Sequence, residues 1–327
     1  MNFVLRALSV AAAAALVSPS VLAQSVKVDG SSTVFPVTEA VAEEFQKANK
    51  NLKVTVGISG TGGGFKKFCR GETDIQNASR PILAGEMKDC KAAGVSYIEL
   101  PVAFDALTVV VHKDNPLNEI SVEDLKKMWE PGAQGKIMKW KDANAAFPDA
   151  PLQLFGAGAD SGTFDYFTEA VTGKSKSSRG DFTASEDDNV IVQGVSRSRN
   201  ALGFFGYAYY EENKDKVKGL AISWKGGKAV APSAANVLNG TYQPLSRPIF
   251  IYVNAKSLAK PEIKAFAEYY MKQAPKLVGE VKYVPLPGKA YEYNLAALQK
   301  GRIGTKMGGE NKVGLTIEQL MSLEAKE

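Results

Sequence analysis

One histidine and two cysteines in 327 residues leave little from which to build a metal centre or a nucleophilic triad. A Ser/His/Asp hydrolase needs an imidazole within hydrogen-bond reach of its serine. The single His112 closes an apolar stretch, where packing explains it better than catalysis. A zinc site needs several His, Cys or Asp ligands, and none cluster here. Dense runs of one charge are also missing. Forty basic and 35 acidic residues give a net charge of +5, spread along the chain, which argues against a nucleic-acid partner. After residue 23 no apolar run is long enough to span a bilayer. The phosphate-loop patterns fail as well. Gly173-Lys174-Ser175 ends like a Walker loop, but Thr168 stands at its first glycine; from Gly60 and Gly62, the third glycine of a dinucleotide loop would be Phe65.

What is present begins with an export signal. Arg6 precedes the apolar stretch 7–17, and Val21-Leu22-Ala23 fits cleavage after residue 23. The expected product is a periplasmic protein. In such a compartment Cys69 and Cys90 are expected to pair, which would stabilise the fold by about 3 kcal/mol in the chain-entropy model; two free thiols are the alternative. Apolar spacing alternates between strand and helix periods, which predicts an α/β fold with largely parallel sheets. Helices are expected over 35–49, 65–70, 86–93, 122–129, 164–171, 189–198 and 261–273. The apolar stretches 106–112 and 248–254 read as strands that cross between two lobes. The expected division is 24–105 plus 251–327 for the first lobe and 106–250 for the second, with a mobile polar tail from about Lys306.

Three segments share one chemistry: Gly30-Ser31-Ser32-Thr33, Ser59-Gly60-Thr61-Gly62-Gly63-Gly64 and Asp160-Ser161-Gly162-Thr163. Each mixes hydroxyls with glycine, and each precedes an expected helix. Helix starts offer unpaired N–H groups and partial positive charge, so three of them aimed at one point would cage a small oxyanion. Glu186-Asp187-Asp188 reads as a solvated loop or a cap. The aromatic run Phe204, Phe205, Tyr207, Tyr209 and Tyr210 reads as packing, with a sugar platform as the lesser alternative.

These segments, with Asn77-Ala78-Ser79-Arg80-Pro81 and Gly203-Phe204-Phe205-Gly206-Tyr207, resemble the phosphate-binding proteins of the bacterial high-affinity phosphate ABC importer, the PstS-like family. The resemblance spans nearly all of the mature chain. It implies a two-lobed periplasmic binding protein fold of the second type, with inorganic phosphate in the cleft. It further implies an ABC permease as partner, no catalysis, no cofactor and a monomer. Position by position, it assigns Thr33, Val34 and Phe35 of the first segment to the ligand. Ser32 or Thr33 supplies the hydroxyl, because the best-known branch has threonine where this chain has Val34. Thr61, with Ser59, matches the second segment, and Ser161, Gly162 and Thr163 match the third. Two departures stand out. Arg80 occupies the position of an aspartate, and Ala157 that of an arginine. Arg80 is therefore expected to grip the ligand bidentately, and Asp105 to replace the carboxylate that takes up the proton of phosphate. Asp160 is a second candidate for that role, or a cap for the helix near Phe164. An exported phosphoester hydrolase and a receptor for another oxyanion are the alternative functions.

Overall fold

The computed structural model describes residues 24–326; the expected export signal lies outside them. The chain opens with β1 (Gln24–Gly30), α1 (Phe35–Ala48), β2 (Leu52–Val56), α2 (Gly60–Cys69), β3 (Ile75–Ala78), α3 (Ala84–Ala92) and β4 (Tyr97–Ala106). It continues through β5 (Thr108–His112), β6 (Glu119–Ser121), α4 (Val122–Trp129), α5 (Trp140–Ala143), β7 (Gln153–Ala157), α6 (Gly162–Thr172), β8 (Thr183–Ser185), α7 (Asp188–Ser196), β9 (Ala201–Phe205) and α8 (Tyr207–Glu212). Then come β10 (Val217–Gly219), β11 (Ala221–Ser223), α9 (Ala234–Leu238), β12 (Ser246–Asn254), α10 (Pro261–Glu280), β13 (Val284–Pro285), α11 (Gly288–Lys300) and α12 (Ile317–Met321).

Two sheets form the centres of two lobes. The first has the order β13-β4-β12-β3-β1-β2, the second β10-β5-β9-β7-β8. Parallel pairing links β2, β1 and β3, and likewise β8, β7 and β9. β12, β4 and β13 pair antiparallel, as do β9, β5 and β10, so both sheets are mixed rather than largely parallel. The reason is the doubling back of the chain: β12 returns beside β4 along its whole length. Both are buried throughout; β12 accordingly reads as the unbroken apolar run 249–253, whereas β4 carries Glu99 and Asp105. The passages between the sheets lie side by side, with the Leu107 N–H donating to the Leu245 carbonyl at 2.8 Å.

α1 buries Val37, Val41, Ala42 and Phe45 as its spacing predicts, with Pro36 in the first turn. α2 starts at Gly60, five residues before its expected start. A glycine run is a poor helix former, but packing demands it here. A Cβ on Gly64 would lie 2.1 Å from Gln76 Oε1 and 2.7 Å from the Gly30 backbone. α2 can rest on β1 and β3 only without that side chain. The same helix ends at Cys69, which is disulfide-bonded to Cys90 of α3. α6 starts at Gly162, capped by Ser161, whose Oγ accepts the Thr163 N–H; Asp160 is not the cap. Phe204 stacks on Phe167 with ring centroids 3.8 Å apart, inside the second core. The tail is held down. Lys306 N–H donates to Glu99, Gly309 accepts from the Ala84 N–H, Asn311 donates to Glu169, and Gly314 N–H reaches Tyr166.

Candidate functional site

The carboxyl ends of β1 and β7 deliver the first and third hydroxyl segments to the boundary between the lobes. Thr33, just before α1, and Thr163, in the first turn of α6, are fully buried, with their hydroxyl oxygens 2.9 Å apart. The second segment meets them from the side. Thr61 Oγ1 lies 3.1 Å from Ser79 Oγ and accepts the Ser79 N–H at 3.1 Å. Both hydroxyls face the start of α6: a Cβ built on Gly162 would stand 2.5 Å from Thr61 Oγ1 and 2.7 Å from Ser79 Oγ. Only glycine leaves that space open.

The backbone N–H groups of Thr33, Val34, Thr61 and Gly162 have no acceptor among the described residues, and all four residues are buried. Buried N–H groups are nearly always paired. Four of them at three helix starts make a positive rim suited to an anion.

Arg247 completes the cluster, and the sequence reading passed it over. Its Nη2 donates to Thr163 Oγ1 at 2.9 Å and reaches Thr33 Oγ1 at 3.4 Å, while Nη1 donates to the Gly162 carbonyl at 3.1 Å. Nε and Nη2 hold Asp105 Oδ2 at 3.2 and 3.0 Å. The pair follows from register: Arg247 on β12 sits directly across from Asp105 on β4, and directly opposite residues share a face. The available signal was a lone arginine at the mouth of an apolar strand, opposite the only carboxylate at the mouth of the other crossing strand.

Several expected residues have other partners. Asp105 does not face the cleft unengaged, since Oδ1 accepts the Tyr207 N–H and Oδ2 is taken by Arg247. Burial pushes its carboxyl up from the usual range, and Arg247 pulls against that. Arg80 is fully buried, but its fork is occupied. Nε donates to Asp165 of α6 at 2.6 Å, Nη1 and Nη2 grip Glu86 at 2.8 and 2.7 Å, and Nη1 also reaches the Pro81 carbonyl. The expected ligand cation is thus an ion-pair bridge between the lobes. Ser59 is half-buried and donates to Asp29 instead of facing α6. The Phe35 N–H returns to the Ser31 carbonyl, and the Ser161 hydroxyl is used as a cap. Ser32 lies inside the closed boundary, its hydroxyl on Asp188. Asp160 adds a further clasp, its carbonyl accepting the Gly62 N–H at 2.7 Å and its carboxylate meeting Lys66 at 2.8 Å. His112 Nδ1 accepts the Asp114 N–H, at the far end of β5 from the passage between lobes. No group of three or more metal-ligating side chains occurs among the described residues.

Comparison with known proteins agrees with this architecture. A family model described as a PBP superfamily domain matches residues 15–274. Protein SphX of Synechococcus elongatus is 55% identical over 91% of this chain and 88% of its own. The phosphate-binding protein PstS of Staphylococcus saprophyticus is 40% identical over 81% of this chain and 82% of its own. Among solved structures, a protein described as a possible phosphate binding protein from Planctomyces limnophilus superposes with a TM-score of 0.63 at 46% identity, covering 86% of this chain and 99% of that one. A protein from Clostridium perfringens solved with bound phosphate gives a TM-score of 0.68 at 27% identity, covering 81% of this chain and 100% of that one.

Proposed function

Because this chain belongs to the PstS-like phosphate-binding proteins of the PBP superfamily, we propose that it captures inorganic phosphate between its lobes, without turnover, and hands it to an ABC permease after export to the periplasm. The observation that supports this most is the set of unpaired N–H groups of Thr33, Val34, Thr61 and Gly162 around the Arg247 fork. Thr33, Thr61, Ser79 and Thr163 add hydroxyls to the same boundary. Hydrogen bonds to a charged group contribute roughly 1.5–3 kcal/mol each. Several of them, less the entropy of association, reach the roughly 8 kcal/mol of a micromolar complex. Ser161 and Arg80 act behind this set, one by capping α6 and the other by tying it to the first lobe. A closed pair of lobes is the form a permease would recognise, and ligand binding would bias the protein toward it.

A thermal-shift series with phosphate, arsenate, sulfate and molybdate, followed by calorimetric titration of the best ligand, tests the reading. Phosphate is expected to raise the unfolding temperature and to bind at micromolar concentration or below. No shift with phosphate, or release of product from a chromogenic phosphate ester, overturns it.

A further inference from the structure

Asp188, the first residue of α7, has no part in the cluster so far, yet it touches it. Its carboxyl is fully buried. Oδ1 lies 3.2 Å from Ser32 Oγ, and Oδ2 accepts the Gly206 N–H at a long 3.3 Å. Among the described residues no cation pairs with it, because Arg247 is already paired with Asp105. The groups facing it are Asp105 on β4, Arg247 on β12, the Tyr209 hydroxyl on α8 and the Tyr283 hydroxyl ahead of β13. Of these, Asp105 works against its charge and Arg247 favours it, while burial dominates and raises its pKa to about 7. A second observation points the same way. The Tyr283 hydroxyl is buried without a hydrogen-bond partner among the described residues. It lies 3.0 Å from where a Cβ on Gly206 would stand, as does Thr33 Cγ2, and Asp188 Oδ2 is 3.6 Å from that point. The niche holds the Ser32 and Tyr283 hydroxyls and the Gly206 N–H but, among the described residues, no spare positive charge. An anion arriving beside Thr33 would meet an unpaired carboxylate there, and burying such a charge is costly.

Resting on the phosphate reading above, we propose that Asp188 is a positioning residue whose proton turns the Ser32 hydroxyl. When the cleft is loaded, the carboxyl takes up one proton from bulk solvent and keeps it, donating a hydrogen bond to Ser32 Oγ, and the Ser32 O–H then points to the bound oxyanion. When the carboxyl is ionised, it recaptures the Ser32 O–H, and the ligand loses that donor. A hydroxyl can serve either way because its hydrogen rotates.

The test is titration of inorganic phosphate into wild type, D188N and S32A from about pH 5.5 to pH 8.5. Protonation of phosphate itself is common to all three and cancels in ratios of Kd. D188N stays neutral, so the ratio of wild-type to D188N Kd is expected to rise above neutrality and level off about tenfold higher, the worth of the Ser32 donor. S32A is expected to cost about tenfold at low pH and close to nothing at pH 8.5, where Asp188 already holds the hydroxyl. S32A keeps the carboxyl and answers the question if D188N does not fold. Phosphate binding with both ratios flat across the range overturns the proposal alone. No phosphate binding by the wild type overturns the reading beneath it and the proposal together.

Discussion

Replacing Arg247 by lysine isolates what the guanidinium contributes to binding. The side chain is buried and donates in three directions, to Asp105, to the Gly162 carbonyl and to the Thr33–Thr163 hydroxyl pair. Lysine keeps the positive charge opposite Asp105, so the carboxylate does not become an isolated buried charge, which would cost about 3–5 kcal/mol. What lysine lacks is the planar fork. An ammonium drawn to Asp105 cannot also present an N–H between Thr33 and Thr163. The expected loss is one hydrogen bond to a charged ligand, about 1.5–3 kcal/mol, or roughly 10- to 150-fold in Kd at 1.4 kcal/mol per factor of ten. Calorimetric titration of phosphate measures it, with urea unfolding as the check that R247K is folded. R247M is the comparison. It leaves Asp105 uncompensated and should lose about 3–5 kcal/mol of stability in urea, with R247M/D105N recovering part of that. If R247K and R247M both fold and bind phosphate within about twofold of wild type, Arg247 is not the cation of the site and the placement of the ligand is refuted.

Arg80→Ala should weaken phosphate binding at least tenfold, because the loss of its ion pair with Asp165 loosens the closed form; calorimetry on Asp165→Asn should show a loss in the same direction. A nearly silent D165N beside a weakened R80A would instead mean that Arg80 grips the ligand itself. Gly162→Ala places a methyl 2.5 Å from Thr61 Oγ1, so it should prevent the lobes from closing fully. Small-angle scattering with saturating phosphate should then show the mutant more extended than wild type, and identical profiles would rule this out.

Much of the fold was legible because helix spacing and strand alternation are local signals. The apolar face of α1 and the runs of β5 and β12 are examples. The start of α2 was not, since the glycines 62–64 argue against helix on local grounds and only the contact of Gly64 with Gln76 makes them necessary. The hydroxyl segments announced themselves through repetition, and the structure draws Thr33, Thr61, Gly162 and Thr163 together. The charged residues were read less well. Resemblance pointed to Arg80 by its place in a motif, but a guanidinium goes to the nearest carboxylates, and Glu86 and Asp165 are closer than any segment of sequence could tell. Arg247 belongs to no motif. Its role depends on the pairing of two strands some 140 residues apart, which becomes visible only with the sheet register. Asp188 was lost inside an acidic run in which Asp187 caps α7 and Glu186 is half-buried against the Asp160 N–H.

The tail between Gly309 and Gly314 is a third link between the two halves, in addition to the paired passages at Leu107 and Leu245. One end is bonded to Ala84 at the start of α3, the other to Glu169 and Tyr166 on α6. Two adjacent connectors alone would let the halves swing like a door on its hinge. With this tether across them the swing has a stop, and going past it means breaking the Asn311 and Gly314 bonds. Trimming the chain before Gly309 would therefore alter how wide the jaw opens without removing any group that lines its grip.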